Sequence, residues 1–417
     1  MTWLPSYHLP SLQRSRRDFL LAYTQFLVIP TGIPLLMPNR IRVLHIADLV
    51  NRYDFIDNVV RHLDPELFEP WIVTFSLSSN IESPNYSDTN VRHVVIPARG
   101  RRDYPFAAYQ LLRLLHREQI DIVHSHHYDP TFIAFLSTSL ARSTRLIVGR
   151  QYADFIFRFT SGLKRQSLLA IENFIYQRAS RIVVPANSVR SLLVSLQHIS
   201  PEVVEVIPYP FDPTRYPIPS RDQRASLREQ LGVTNRFCIV TAGRLHPAKG
   251  HIFLVRALAE LRERIPQLLW IVAGDGPERA SIHAAVDKYQ LTDSVRFLGW
   301  RHDIPALMHA SDIVVQPSIE EGFGQVIIES LWMERALVTT RTSGASELLT
   351  DGTHAILVPP RDSSSLADAI ARLFQDDKAR EELGASGRSY VMSTLAIPPI
   401  LARYEDMYKA VAAKSFG

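Results

Sequence analysis

The sequence predicts an α/β chain of two doubly wound, parallel-sheet domains. Three observations carry that expectation. The chain has 417 residues, more than one hydrophobic core usually holds. Short apolar runs of strand character alternate with helical patterns along nearly its whole length. Prolines cluster between Pro208 and Pro219, and the charged run Arg221 to Glu229 follows them, so the linker between domains is expected there. Apolar residues make up 46% and charged residues 21%, which suits a globular enzyme and excludes a disordered chain. The one cysteine, Cys238, lies in the apolar run Phe237 to Val240. It leaves no disulfide or thiolate metal site and favours a reducing compartment. A formal charge of +4 suits anionic partners, either nucleotide phosphates or the face of an anionic membrane. No RNA- or DNA-binding motif accompanies the charge, so nucleic acid is not an expected partner.

Residues 1–39 read as an extension. Arg14, Arg16 and Arg17 precede an apolar stretch from Phe19 to Met37 that Pro30, Gly32 and Pro34 interrupt, which disfavours a spanning helix. An interfacial anchor, a secretory signal and a poorly ordered extension stay open. Residues 40–218 read as the first domain. Arg40 to Ala47 is its first strand, and the following turn carries no glycine. That makes Asn51, Arg52 and Tyr53 candidate side-chain contacts, with a helix cap and solvated surface as the alternative. Trp71 to Ser76, Arg92 to Ile96 and Ile120 to His124 read as strands, with Tyr109 to Glu118 the clearest amphipathic helix. The last of these strands runs into His124, His126 and His127, on the side of a parallel sheet where ligands bind. No carboxylate or second histidine cluster completes a zinc site there, and a purely structural pair is the other reading. Arg145 to Gly149, Arg181 to Pro185 and Val204 to Pro208 follow as strands, with a helix from Gly162 to Arg178. Gln151 and Tyr152, after the first of them, can hydrogen-bond but do not titrate near neutrality, so general base catalysis is not expected from that slot.

Residues 219–394 read as the second domain. Strand Phe237 to Ala242 leads into Gly243-Arg244-Leu-His-Pro-Ala-Lys249-Gly250 and a helix from Ile252 to Arg264. Arg244 and Lys249 flank a tight turn at a strand's carboxyl end, where a diphosphate needs two cations if no metal neutralises it. Leu268 to Gly274 and Val295 to Gly299 are further strands. The most informative stretch runs from Gln316 to Pro360. Ile313 to Val315 reads as a buried strand and Gln325 to Met333 as a helix, so Glu321, Gly322, Phe323 and Gly324 form the loop between them. Amides at a helix start favour anions, and the glycines admit a close ligand. Glu321 and Glu329 stand eight positions apart, roughly 80° round a continuous helix. Carboxylates for hydroxyls, with amides for phosphate oxygens between them, suit a sugar nucleotide. Glu321 alone could also be a cap on the helix dipole.

This stretch resembles the Glu-x7-Glu signature of the retaining glycosyltransferases of family 4, which have the GT-B fold of two Rossmann-like domains facing across a cleft. The likeness runs from about Arg40 to the end. It includes Thr339 to Glu347, Asp351 to Pro360, the turn Asn187-Ser188-Val189 and the loop Gly274-Asp275-Gly276-Pro277. The resemblance implies retaining transfer of a hexose-type residue from a nucleotide diphosphate sugar to a hydroxyl acceptor on a glycan, lipid or small molecule. By resemblance the catalytic set is Glu321, Arg244, Lys249 and His126. Arg244 and Lys249 would hold the diphosphate, Glu321 the sugar hydroxyls and Glu329 the ribose. Amides of Phe323, Gly324, Gln325 and Val326, beside Gly322, would complete the cradle; Gly243, Gly274 and the backbone of Arg296, Phe297 and Leu298 would line the nucleotide. His126 and His127 would face the acceptor side. Many relatives carry a histidine beneath the donor sugar where this chain has Gln151 and Tyr152. In retaining transfer the leaving phosphate is thought to take the acceptor's proton, so the difference need not abolish activity.

No cofactor is expected, and no metal, because no Asp-x-Asp stands at a strand end. In GT-B enzymes the last helix commonly crosses back, which would join residues 395–417 to the first domain. Met37 directly precedes a segment with the form of a family member's natural start. The expected location is the cytoplasm, with peripheral contact to the inner face of an anionic membrane as an extension of it. A non-catalytic donor-binding partner of another transferase, and a sugar-nucleotide epimerase or hydrolase, are the alternatives.

Overall fold

Thirteen strands form two all-parallel sheets among the residues that the computed structural model describes: 40–47, 54–76, 86–98, 100–151 and 161–413. Both sheets belong to the compact unit Ile41–Gly417. In the first, β1 (Ile41–Ala47), β2 (Phe68–Ser76), β3 (Arg92–Pro97), β4 (Ile122–His126), β5 (Arg145–Gly149), β6 (Arg181–Val184) and β7 (Val204–Val206) lie in the order β3-β2-β1-β4-β5-β6-β7. In the second, β8 (Phe237–Ala242), β9 (Leu268–Ala273), β10 (Val295–Gly299), β11 (Ile313–Gln316), β12 (Ala336–Thr340) and β13 (Ile356–Val358) lie in the order β10-β9-β8-β11-β12-β13. The runs FCIVTA of β8 and LLWIVA of β9 are buried at every residue, as strands covered by helices on both faces must be. Each sheet reverses its winding once, between β1 and β4 and between β8 and β11. Ligands of doubly wound sheets bind at the carboxyl ends of such strands. His45, His126, Gly243 and Ser318 all sit at or just beyond those ends.

Two elements differ from the sequence expectation. The run Arg221 to Glu229 is not linker but the helix Arg221–Gln230, started by a capping box in which Ser220 and Gln223 bond each other's backbone amides. Its Arg224 and Arg228 then reach the carbonyls of His309 and Ala310 and the Asp312 carboxylate, fixing it to the second lobe. The helix expected from Tyr109 begins at Tyr104, with Pro105 in its first turn, where proline's missing N–H costs nothing. The continuous helix Tyr128–Leu140 follows β4 directly.

The C-terminal helix Ile397–Ala412 packs on β1 and on the helix Asp54–His62 of the first lobe. Phe211 steers it there by pairing with Ala396 and donating its amide to the Leu395 carbonyl at 2.8 Å. One apolar cluster therefore runs from Val43 and Phe68 through Phe211 and Tyr216 to Trp332, Tyr404 and Tyr408. Within it the Trp332 indole N–H donates to the Tyr216 carbonyl at 2.7 Å. The hinge between the lobes is thus a packed surface, and helix 397–412 is part of it. Asn51, Arg52, Tyr53, Tyr152 and the extension 1–39 lie outside the described residues.

Candidate active site

Two loops of the second lobe are stitched together by their backbones. After β8 a short 3-10 turn, Pro247–Lys249, ends at Gly250 with φ 64°. The amides of Ile319 and Glu320 both donate to the Ala248 carbonyl, at 2.8 and 3.2 Å. This brings the Lys249 ammonium onto the Glu321 carboxylate. Gly250 makes the approach possible, because a Cβ there would stand 2.1 Å from the Pro317 carbonyl oxygen. Gly250→Ala is expected to cost more than about 2 kcal/mol, from the left-handed backbone and the clash together. Thermal unfolding and nucleoside diphosphate titration check it; a variant as stable as the wild type with full affinity would show that the stitch is dispensable.

Glu321 belongs to the loop and not to the helix, since Gln325–Trp332 starts after Gly324, whose φ is 84°. The 80° angle expected for Glu321 and Glu329 on one helix therefore does not apply. Glu329 is in the second turn, half-buried. A second tether holds the loop, the Gly344 amide donating to the Glu321 carbonyl at 3.0 Å. Arg244 is exposed and forms no ion pair with a described residue. The two expected phosphate cations thus differ: one is engaged by a carboxylate and the other is open to a ligand. Gly243 and Gly274 bring the loops after β8 and β9 into contact, a Cβ on Gly274 falling 1.9 Å from the Gly243 oxygen. The side chains of Arg296 and Phe297 are used for packing. Arg296 donates to the Leu231 carbonyl, and the Phe297 ring stacks on His283 at 3.8 Å. What remains for a ligand along Arg296, Phe297 and Leu298 is backbone.

In the first lobe the expected His124 and His126 are buried and His127 is half-buried. His45, His124 and His126 lie at the ends of the adjacent strands β1 and β4, with ligand atoms within 4.8 Å of one another. Nitrogens that would have to converge on an ion are instead bonded in series. His126 Nε2 meets His45 Nδ1 at 3.0 Å, and His126 Nδ1 meets the Gln151 amide nitrogen at 3.0 Å. His126 therefore has neither ring nitrogen left to face an acceptor. Burial pushes the His45 imidazole down to about 3, and burial first, then its histidine neighbours, pushes His124 and His126 well below the usual range. All three are neutral at pH 7. Gln151 follows Arg150, which is fully buried and ion-paired with Glu172 at 2.9 Å; Gln197 bonds both, to Arg150 at 2.5 Å and to Glu172 at 2.6 Å.

The two lobes meet at an aromatic ladder. Phe323 of the signature loop packs edge-on against Tyr209 of the hinge at 4.4 Å, Tyr209 stacks on Phe55 at 4.1 Å, and Phe55 abuts the His126 ring at 5.7 Å. A second bridge is polar. The Glu347 carboxylate accepts from the Asn187 amide and side chain at 2.5 and 2.8 Å and from the Ser188 amide at 2.9 Å. It caps the helix Asn187–Leu196 of the opposite lobe. Glu347, Tyr209, Phe55, His45 and Tyr408 were not singled out from the sequence. His45 stands at a strand end as His126 does and was legible in principle; the others acquire meaning only when distant segments meet.

Comparison with known families agrees with this architecture. Residues 55–215 match the model described as Glycosyltransferase Family 4, and residues 223–390 match that described as Glycosyl transferases group 1. The chain belongs to the GT-B glycosyltransferases of the family 4 type. Over 163 residues, 39% of the chain, it is 36% identical to an alpha-D-kanosaminyltransferase of Streptomyces kanamyceticus, of which that stretch spans 42%. Over 78% of the chain and 85% of the relative it is 24% identical to a UDP-Gal:alpha-D-GlcNAc-diphosphoundecaprenol alpha-1,3-galactosyltransferase of Escherichia coli. The chain spans about half the length of several curated relatives it matches. The solved structure of Anabaena HepE in complex with UDP and glucose superposes with a TM-score of 0.76 at 21% identity. It covers 89% of this chain and 100% of its own, a likeness of fold. Among its described residues, the family member has no helix long and apolar enough to cross a membrane.

Proposed function

We propose that this chain transfers a hexose-type residue from a nucleotide diphosphate sugar to a hydroxyl acceptor with retention at the anomeric carbon. The observation that carries the reading is the stitched pair of loops at the β8/β11 switch point. It sets Lys249 on Glu321 just ahead of helix Gln325–Trp332, with an exposed Arg244 on the same loop as Lys249. Arg244 and Lys249 neutralise the diphosphate, and the start of the helix receives its oxygens. Glu321 accepts from sugar hydroxyls and Glu329 from the ribose. No step calls on a metal, because the two cations offset the leaving group's charge as it develops. The leaving phosphate takes the acceptor's proton, which agrees with a buried, doubly bonded His126. His126 is then a positioning residue, and Gln151 is the polar group nearest the sugar. The donor class follows the named relatives; which sugar and base bind is read by titrating a panel of nucleoside diphosphates. One should bind, and Arg244→Ala should weaken it about 10- to 150-fold, as loss of a charged hydrogen bond does. Equal affinity in the variant would overturn the phosphate assignment.

The acceptor reading extends to a lipid-linked sugar presented at the inner face of a membrane. The helix Gly162–Tyr176 supports it, exposing Leu163, Ile171 and Phe174 (82%, 39% and 50%) beside Lys164 and Arg165.

Closure of the lobes over the donor uses the Glu347 cap. Glu347→Ala removes a capping interaction worth about 0.5–2 kcal/mol, shifting the ratio of open to closed forms by up to about thirtyfold. Small-angle scattering should show an expanded ligand-free variant that recompacts with saturating nucleoside diphosphate. Superimposable ligand-free profiles for variant and wild type would contradict it.

A further inference from the structure

The buried histidines are one chain of hydrogen bonds, and its direction can be read without ambiguity. It starts at the His127 backbone amide, which can only donate, and which meets Gln151 Oε1 at 3.2 Å. That fixes the Gln151 side chain, so its Nε2 is the atom facing His126 Nδ1 at 3.0 Å and must donate. His126 then carries its proton on Nε2 and donates to His45 Nδ1 at 3.0 Å. His45 in turn donates from Nε2 to the Tyr408 hydroxyl at 3.1 Å, and Tyr408 donates to His124 Nδ1 at 2.8 Å. The His124 Nε2 ends the chain, buried and without a partner among the described residues.

Two features of the backbone serve this chain. His127 holds φ at 65°, a region costly for a residue with a side chain, and in that conformation its amide reaches Gln151. Gly149 has no positive φ, yet a Cβ there would lie 2.6 Å from Gln151 Nε2, 2.9 Å from His126 Nδ1 and 3.2 Å from His124 Nε2. Glycine is at that position to leave room for three nitrogens.

We propose that Gln151 is a fixed hydrogen-bond donor to the reacting end of the sugar donor, held by the His127 amide and the His126 ring, and that it sets the direction of a relay running on through His45 and Tyr408 to His124. One hydrogen of its amide belongs to His126. The second, on a half-buried side chain with no recorded acceptor among the described residues, is left for a sugar or phosphate oxygen. The C-terminal helix, through Tyr408, carries the relay on from His45 to His124. Placement of Gln151 against the donor rests on the transferase reading; the direction of the relay does not.

The test reads the two separately. Nitrogen-15 NMR of histidine-labelled full-length protein at pH 7.5, assigned by single histidine substitutions among the 15 present, reports which ring nitrogen carries the proton. In the wild type His45, His124 and His126 should all be neutral with the proton on Nε2. Gln151→Glu presents an acceptor to His126 in place of a donor. The relay should then reverse, and all three should move the proton to Nδ1, including His124 at the far end. Tyr408→Phe cuts the chain instead: His126 and His45 should keep Nε2–H while His124 alone shows a shifted Nδ1 signal as that nitrogen loses its hydrogen bond, a readout that stands if Gln151→Glu does not fold. A wild-type proton on any Nδ1, or a Gln151→Glu spectrum in which only His126 responds, would overturn the relay. Turnover of Gln151→Glu should fall about tenfold or more with nucleoside diphosphate affinity changed less than about threefold. Reversed tautomers with unaltered turnover would overturn the role of Gln151 toward the donor.

Discussion

Glu321→Ala is expected to lower turnover about 10- to 150-fold while leaving nucleoside diphosphate affinity at or above that of the wild type. Glu321 meets the sugar, where charge and ring shape change as the glycosidic bond breaks, so its loss is felt in the transition state. The structure adds a sign to the second half. Lys249 is held by Glu321, and removing the carboxylate frees that ammonium for the diphosphate. Glu329→Ala should behave in the opposite way, because a ribose contact is the same in donor and product. It should weaken the free diphosphate by a similar factor and leave turnover at saturation near wild type. Calorimetry with the diphosphate alone decides it, and equal losses of affinity in both variants would show the roles to be wrongly divided.

Acid should destabilise the protein by about 4 kcal/mol between pH 7.5 and pH 5 through two histidines alone. Burial holds His45 down to about 3 and, with a smaller contribution from Lys249, His251 to about 4. Both values are below the ordinary 6.5, so the folded state prefers the neutral ring. Their contribution is complete above pH 6.5 and is lost as pH falls, since the unfolded chain takes up protons that the folded one refuses. At pH 5 each accounts for about 2 kcal/mol by the same linkage. Urea unfolding at the two pH values should show at least that loss, because His124 and His126 are buried and held low as well. His251, whose ring nitrogens have no partner among the described residues, allows a control: His251→Leu should unfold at a higher urea concentration than the wild type at pH 5 and lose about 2 kcal/mol of the pH dependence. A midpoint that does not move between pH 7.5 and 5 would contradict the burial of neutral imidazoles.

The second lobe was largely legible in the sequence because its chemistry is local. Arg244 and Lys249 are five residues apart on one loop, Glu321 and Gly324 on another, and periodicity alone places both at strand ends. The first lobe was legible as a fold but not as a site. Its relay joins His45, His126, Gln151 and Tyr408, residues up to 363 positions apart, and only the sheet order β1-β4-β5 and the returning C-terminal helix bring them together. His126 was recognisable as a strand-end histidine, but its burial was not, because nothing in its neighbourhood announces Phe55 and His45 packed on either side. The helix Arg221–Gln230 was hidden by charge, which resembles a solvated linker until Asp312 is seen to neutralise it. Its Ser220 and Gln223 capping box was there to be read.

The central claim is retaining transfer from a nucleotide diphosphate sugar, and proton NMR of the anomeric signal during slow donor hydrolysis tests it most directly. The purified chain, offered a panel of such donors, should release nucleoside diphosphate from at least one. The first sugar to appear should have the donor's own anomeric configuration, with release suppressed in Glu321→Ala. A first-formed sugar of inverted configuration would contradict the account. So would a donor that binds and is never cleaved even with acceptors supplied, which would make the chain a donor-binding partner of another transferase.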